Sequence, residues 1–144
     1  MSRANIPQAL MDWLQGCPLI EGYAFQCDRL GISPLSLSLE MTPGEPITKR
    51  YLNGTTVRVK QFVIATREAY GEDVITNLDN SGFWDEFTDW VEEQNRARNY
   101  PYLGDGKTPL SIHISTGGYL YEADFQTARY QAQFTMTYEQ EGTR

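Results

Sequence analysis

Ala128-Arg129-Tyr130-Gln131-Ala132-Gln133-Phe134-Thr135-Met136-Thr137-Tyr138 alternates apolar and polar residues without a break. Successive side chains of a strand point to opposite faces, so this stretch predicts a half-buried strand. Ala128, Tyr130, Ala132, Phe134, Met136 and Tyr138 take one side, and Arg129, Gln131, Gln133, Thr135 and Thr137 the other. A sheet with one apolar face must be covered by another layer, so the rest of the chain has to supply more strands and a cover.

Three more stretches supply the strands. Leu35, Leu37, Leu39 and Met41 alternate with Ser36, Ser38 and Glu40, which predicts a strand with one wet face. Pro43-Gly44 and Pro46 end it. Ile47, Lys49 and Tyr51 lead into Asn53-Gly54, a signal for a type I′ hairpin turn, and Thr55 to Thr66 is the returning arm. That arm is apolar on both faces around Phe62-Val63-Ile64, as a central strand would be. Leu110, Ile112 and Ile114 begin a strand that runs on past Gly117-Gly118. The segment through Tyr23, Phe25 and Leu30 is ambiguous, with an irregular strand as one reading.

Helices supply the cover. Ile6, Leu10, Trp13 and Leu14 recur at helical spacing behind Asn5 as cap and Pro7 in the first turn, and Gly16 and Pro18 end the helix. A short helix is expected around Glu72 to Leu78 and the main one from about Gly82 to Arg98, with Asn80 or Ser81 as its cap. Phe83, Phe87, Trp90 and Val91 form its apolar stripe. Acids in its first turn and Arg96 and Arg98 in its last complement the helix dipole. Trp84 falls partly off the stripe and either edges the core or meets a partner. The fold class expected is therefore α+β: one domain over residues 1–144, ordered α-β-β-β-α-β-β, with a mainly antiparallel sheet and helices on one face.

Charge and motifs narrow the function. The net charge is -7, a sign that disfavours general binding to a phosphate backbone. Eight acids fall between Glu72 and Glu93 with no Lys or Arg among them. Asp85, Asp89, Glu92 and Glu93 are expected on an exposed helix face, where carboxyl groups keep ordinary behaviour and make a poor acid–base pair. They could form a wall that DNA passes without sticking. Cys17 and Cys27 are read as free thiols, and with the lone His113 they cannot complete a zinc set. His113 has no nearby third group for a triad, and Gly106-Lys107-Thr108 lacks the leading glycine and following helix of a phosphate loop. No catalytic, cofactor or metal residue is expected, nor any membrane segment. Tyrosine and tryptophan bring contact area at low entropic cost. Tyr51, Asn53, Gly54, Trp84, Tyr100, Tyr102 and Asp105 are accordingly the candidate protein–protein contacts.

A series of segments carries a resemblance. They include Thr48-Lys49-Arg50-Tyr51, Gly54-Thr55-Thr56-Val57-Arg58, Ala65-Thr66-Arg67-Glu68-Ala69-Tyr70-Gly71 and Asn80-Ser81-Gly82-Phe83. Trp90-Val91-Glu92-Glu93-Gln94-Asn95, Leu103-Gly104-Asp105-Gly106-Lys107-Thr108-Pro109 and Thr127-Ala128-Arg129-Tyr130 follow in order. Together these resemble a family of minor capsid proteins of tailed bacteriophages and prophages of Gram-positive bacteria, similar to tail terminators. Some members of that family carry a chloramphenicol-resistance label, for which this chain has no acyltransfer machinery. The resemblance implies a self-assembled ring, a hexamer in number, capping the tail tube and joining it to the head–tail connector. DNA would pass through it without specific binding. The location implied is the virion, at the tail or head–tail interface, with the host cytoplasm before assembly. A small non-catalytic binding module encoded by a prophage or other mobile element is the alternative expectation.

Overall fold

The alternating stretch forms one unbroken strand in the computed structural model, which describes residues 5–44, 46–71, 74–124 and 126–142, with backbone alone at 74–76. The elements in chain order are α1 (Ile6–Leu14), a single 3-10 turn (Pro18–Ile20), β1 (Ala24–Cys27), β2 (Ser36–Met41), β3 (Ile47–Arg50), β4 (Thr56–Ala69), α2 (Val74–Ala97), β5 (Lys107–Ala123) and β6 (Thr127–Gln140). This is a small α+β domain with a mixed, mainly antiparallel sheet of six strands and two helices. The expected order lacks one strand. The ambiguous segment contributes β1, which pairs parallel to β2 at the sheet margin.

The sheet runs β1-β2-β4-β6-β5, and β3 pairs with the first residues of β4. β4 is central, as its two-sided apolar pattern requires. Its pairing with β6 is continuous from Thr56↔Gln140 to Ala69↔Thr127, a ribbon about 45 Å long at ~3.3 Å per residue. Phe62 and Phe134 sit directly opposite and stack with centroids 5.2 Å apart. Leu37, Leu39, Ile64, Ile112, Ala132 and Met136 continue the same buried face.

Both helices close this face. Phe87 of α2 meets Phe134 edge-on at 5.9 Å, and Trp13 of α1 packs on Trp90 of α2 at 4.8 Å. The Trp13 indole N–H donates to the Asn99 carbonyl at 2.8 Å, fixing α1 to the chain that leaves α2. Asn5 caps α1 as expected, its side chain accepting from Gln8 N at 2.8 Å. α2 is a single helix where two were expected. Asn80 and Ser81 therefore do not cap it. The Asn80 amide instead donates to the Ala69 carbonyl at the end of β4, leaving Asn80 buried within the helix. Glu72 and Asp73 lie outside the described residues.

Two further expectations are corrected. The hairpin after β3 is not a type I′ turn, because Gly54 alone has positive φ, at 92°, and Asn53 does not. Gly54 N donates to the Tyr51 carbonyl and Tyr51 N to the Thr55 carbonyl, the three-residue loop in which a type I turn is followed by a left-handed glycine. The second correction concerns the wet face of β2. Ser36 and Ser38 are buried, because residues 28–35 fold back over them. Arg29 N donates to Ser38 Oγ at 3.1 Å, and Ser36 Oγ donates to the Ser33 carbonyl at 2.8 Å. Leu35, expected on the apolar face, has φ 63° and lies half exposed, so the strand begins one residue later.

Candidate docking surfaces

The sheet face away from the helices is closed by polar pairs. Arg129 donates from both terminal nitrogens to the Glu40 carboxylate at 3.0 and 2.8 Å and from Nε to Gln131 at 3.0 Å. Gln131 donates to the Tyr119 hydroxyl at 2.7 Å, and the Arg129 guanidinium lies over the Tyr121 ring at 5.3 Å. Arg67, opposite Arg129 in register, reaches Glu122 at 3.9 Å. Each arginine thus has its own carboxylate, which removes the cost of two like charges across neighbouring strands. This network went unread in the sequence. The alternating Arg129, Gln131 and Gln133 were visible, but nothing local points to Glu40.

β5 is the long margin of the sheet, and such edges invite pairing with other chains. Asn95 of α2 guards it: its side-chain oxygen accepts from Ile112 N at 2.9 Å and its amide donates to the Ile112 carbonyl. Irregular register at four places, including Pro109/Ser111 and Ile114/Thr116, further spoils β5 as a template. Asn95 falls one turn beyond Val91 on the apolar stripe, and that polar interruption was the available signal.

The candidate contact residues do not share one surface. Trp84 is only 2% exposed and is a core residue, so its candidacy as a contact is overturned. The reason lies on β5: Gly118 has no side chain, and a methyl group there would overlap the Trp84 ring. Tyr51 is partly exposed beneath the ammonium of Lys49, and Leu52 at the loop tip is fully exposed. Asn53 is used locally, its side chain accepting from Thr55 N at 3.0 Å. Tyr100 is half buried against the core, with its hydroxyl 3.5 Å from the Asn95 carbonyl. Tyr102 is 71% exposed, and its hydroxyl donates to Asp105 at 2.9 Å, which raises the phenol above its usual range.

Tyr51, Asn53, Gly54, Tyr102 and Asp105 come together at one end of the sheet. There the tip after β3, the start of β5 and the end of β6 lie side by side, with Thr56, Gln140 and Lys107 in adjacent register. An open groove of about 850 Å³ lies between the end of α2 and the start of β5, lined by Arg98, Tyr100, Tyr102, Lys107 and Leu110 among others. Lys107 and Thr108 open β5 here, so the sequence that echoes a phosphate loop is a turn entering a strand. The second candidate set, Asp85, Asp89, Glu92 and Glu93, lies exposed along α2.

Other reactive groups are scattered. His113 is exposed on β5, and Cys17 is buried while Cys27 is exposed; burial pushes both thiols up. Glu68 is the buried carboxylate of the helix-covered face. Both its oxygens lie within hydrogen-bond reach of the Tyr23 hydroxyl, at 3.0 and 2.7 Å, and burial raises its pKa. The same burial, with Glu68 beside it, pushes the Tyr23 hydroxyl upward. Among the described residues no three His, Cys, Asp or Glu side chains gather around a metal-sized space. None of the described helices is long and apolar enough to cross a membrane. The sequence matches no protein-family model and no curated protein.

Proposed function

We propose that this chain is a structural component of a phage virion, of the tail terminator or head–tail joining type, acting without catalysis. In this role copies form a ring on the tail tube, and the net charge of -7 disfavours adhesion of the passing DNA. The observation that supports the reading is a group of exposed apolar and aromatic side chains at one end of the sheet. Leu52, Tyr51, Tyr102 and Leu110 are all exposed at one end of the ribbon formed by β4, β6 and β5, while Ile32, Leu35, Leu78, Leu120 and Tyr121 are exposed elsewhere. Exposed aromatic and aliphatic groups clustered at one end fit a docking surface. The ordered segments from Thr48 to Tyr130 that resemble the minor capsid family give that surface its assembly context.

Negative-stain microscopy of the protein mixed with its cognate tail tubes tests the reading. The expected result is a ring of density closing one tube end. Bare tubes together with a monomeric protein would instead favour the small binding module carried by a mobile element.

A further inference from the structure

We propose that the groove between the end of α2 and the start of β5 receives the acidic outer face of α2 from a second copy of this chain. The inference rests on the ring reading and names its contact. Cations and anions are segregated in the fold. Arg98 and Lys107 line the groove, whereas the charged groups exposed on α2 from Asp79 to Glu93 are all acids. Within the groove, Arg98 and Lys107 form no ion pair among the described residues. The groove's own lining carries no acid, and Asp105 and Glu141 lie outside it, around the neighbouring hollow that Lys107 also borders.

The shape of the groove selects the kind of occupant. A small-ligand site encloses most of its ligand. Here the walls are exposed side chains, Arg98, Tyr102 and Leu110, so a convex surface fits better than a small molecule. A helix bearing Asp85 and Asp89 one turn apart presents such a surface, and the half-exposed Leu110 and Tyr102 give it an apolar floor. The two patches are different parts of one protomer. A contact between them is head-to-tail, which closes into a ring when the rotation permits. Two copies at net charge -7 repel at a distance, so association has to come from local complementarity of this kind.

Charge reversal tests the pairing by sedimentation of the full chain at low ionic strength. Wild type is expected to form an oligomer. Arg98→Glu with Lys107→Glu, and separately Asp85→Lys with Asp89→Lys, are each expected to weaken association by about a hundredfold or more. The second pair is diagnostic, because it carries less net charge than the parent. If general repulsion governed assembly, it would associate better and not worse. Mixing the two variants restores opposite charges at every contact and is expected to restore the oligomer. Arg98, Asp85 and Asp89 are exposed and Lys107 is partly so, and unchanged melting temperatures confirm that the variants fold. If either variant assembles like wild type, or the mixture stays apart, the pairing is overturned while a ring built on other surfaces survives. A wild-type chain that stays monomeric overturns the pairing even if it still caps tubes; if it also leaves tubes bare, the ring reading falls with it.

Discussion

On one face of the sheet Phe62 stacks on Phe134 and Phe87 meets that ring edge-on; on the other face of the same strands Arg129 grips Glu40 and Gln131 donates to Tyr119. The first face is held by shape. Its side chains are dry, interchangeable in chemistry and sensitive to volume. The second is held by directional pairs, which tolerate little change of partner but leave nothing adhesive behind once satisfied. The comparison teaches where an association surface can lie. Neither face offers a continuous one, because each is largely closed by helices or by its own hydrogen bonds, with Leu120 and Tyr121 of β5 left exposed. The ends of the ribbon and the outside of α2 remain.

The largest effect should come from breaking the shape-held face. Trp84→Ala removes an indole seated over Gly118 and is expected to cost about 3–5 kcal/mol in urea unfolding. Gly118→Val should approach the same loss from the other side, since its side chain would have to displace the ring. If both variants unfold at the wild-type midpoint, the packing described for α2 on β5 is wrong.

A smaller loss is expected on the pair-held face. Glu40→Ala leaves the Arg129 guanidinium, which is largely buried, without its carboxylate and should cost about 2 kcal/mol. Replacing both partners by Leu should restore most of that loss, because no charge is then stranded. A double-mutant cycle by urea unfolding measures the coupling. If the double variant is as unstable as the two single losses summed, the two residues do not act as a pair.

Glu68 blurs the distinction, being a carboxylate on the dry face. Burial raises its folded pKa above the ordinary carboxyl value of 4.5, so the native state holds the proton more firmly than the unfolded chain. Its contribution is fully present below pH 4.5 and declines as pH rises through the folded pKa. Glu68→Gln keeps an acceptor for the Tyr23 hydroxyl and abolishes this decline. The stability difference between variant and wild type should therefore grow from pH 4.5 toward neutrality, measured by urea midpoints. A difference that stays constant with pH would show that Glu68 ionises as freely in the fold as outside it.

The dry face could be read from sequence, and the polar one could not. Period-2 patterning in Ala128–Tyr138 and the stripe Phe87–Val91 identify side chains that must leave water, and a one-dimensional pattern suffices for that. Ser36 and Ser38 carry the same pattern but are buried, because a loop of low periodicity, residues 28–35, folds over them. Its parallel partner β1 is only four residues long, too short to show alternation. Trp84 is ambiguous in the sequence for a related reason: the space that takes it is made by a glycine more than thirty residues away. At the candidate site, the exposed acids of α2 were readable from charge alone. The groove was not, since Arg98 and Lys107 meet only after α2 and β5 pack together.

Arg98 gives the smallest effect and the cleanest separation of fold from association. It follows the last residue of α2 with φ 55°, while Arg98 N donates to the Asn95 carbonyl and Asn99 N to the Gln94 carbonyl. That is the left-handed helix stop usually filled by glycine, which avoids the clash of a Cβ with the backbone. Arg98→Gly relieves the strain at some entropic cost in the unfolded chain and should stabilise the fold by about 0.5–1 kcal/mol. The same substitution removes a cation from the groove, so association should weaken while the melting temperature rises. Opposite movement of the two readouts is what a residue kept for docking predicts. A variant that is both less stable and equally associated would place Arg98 in the fold alone.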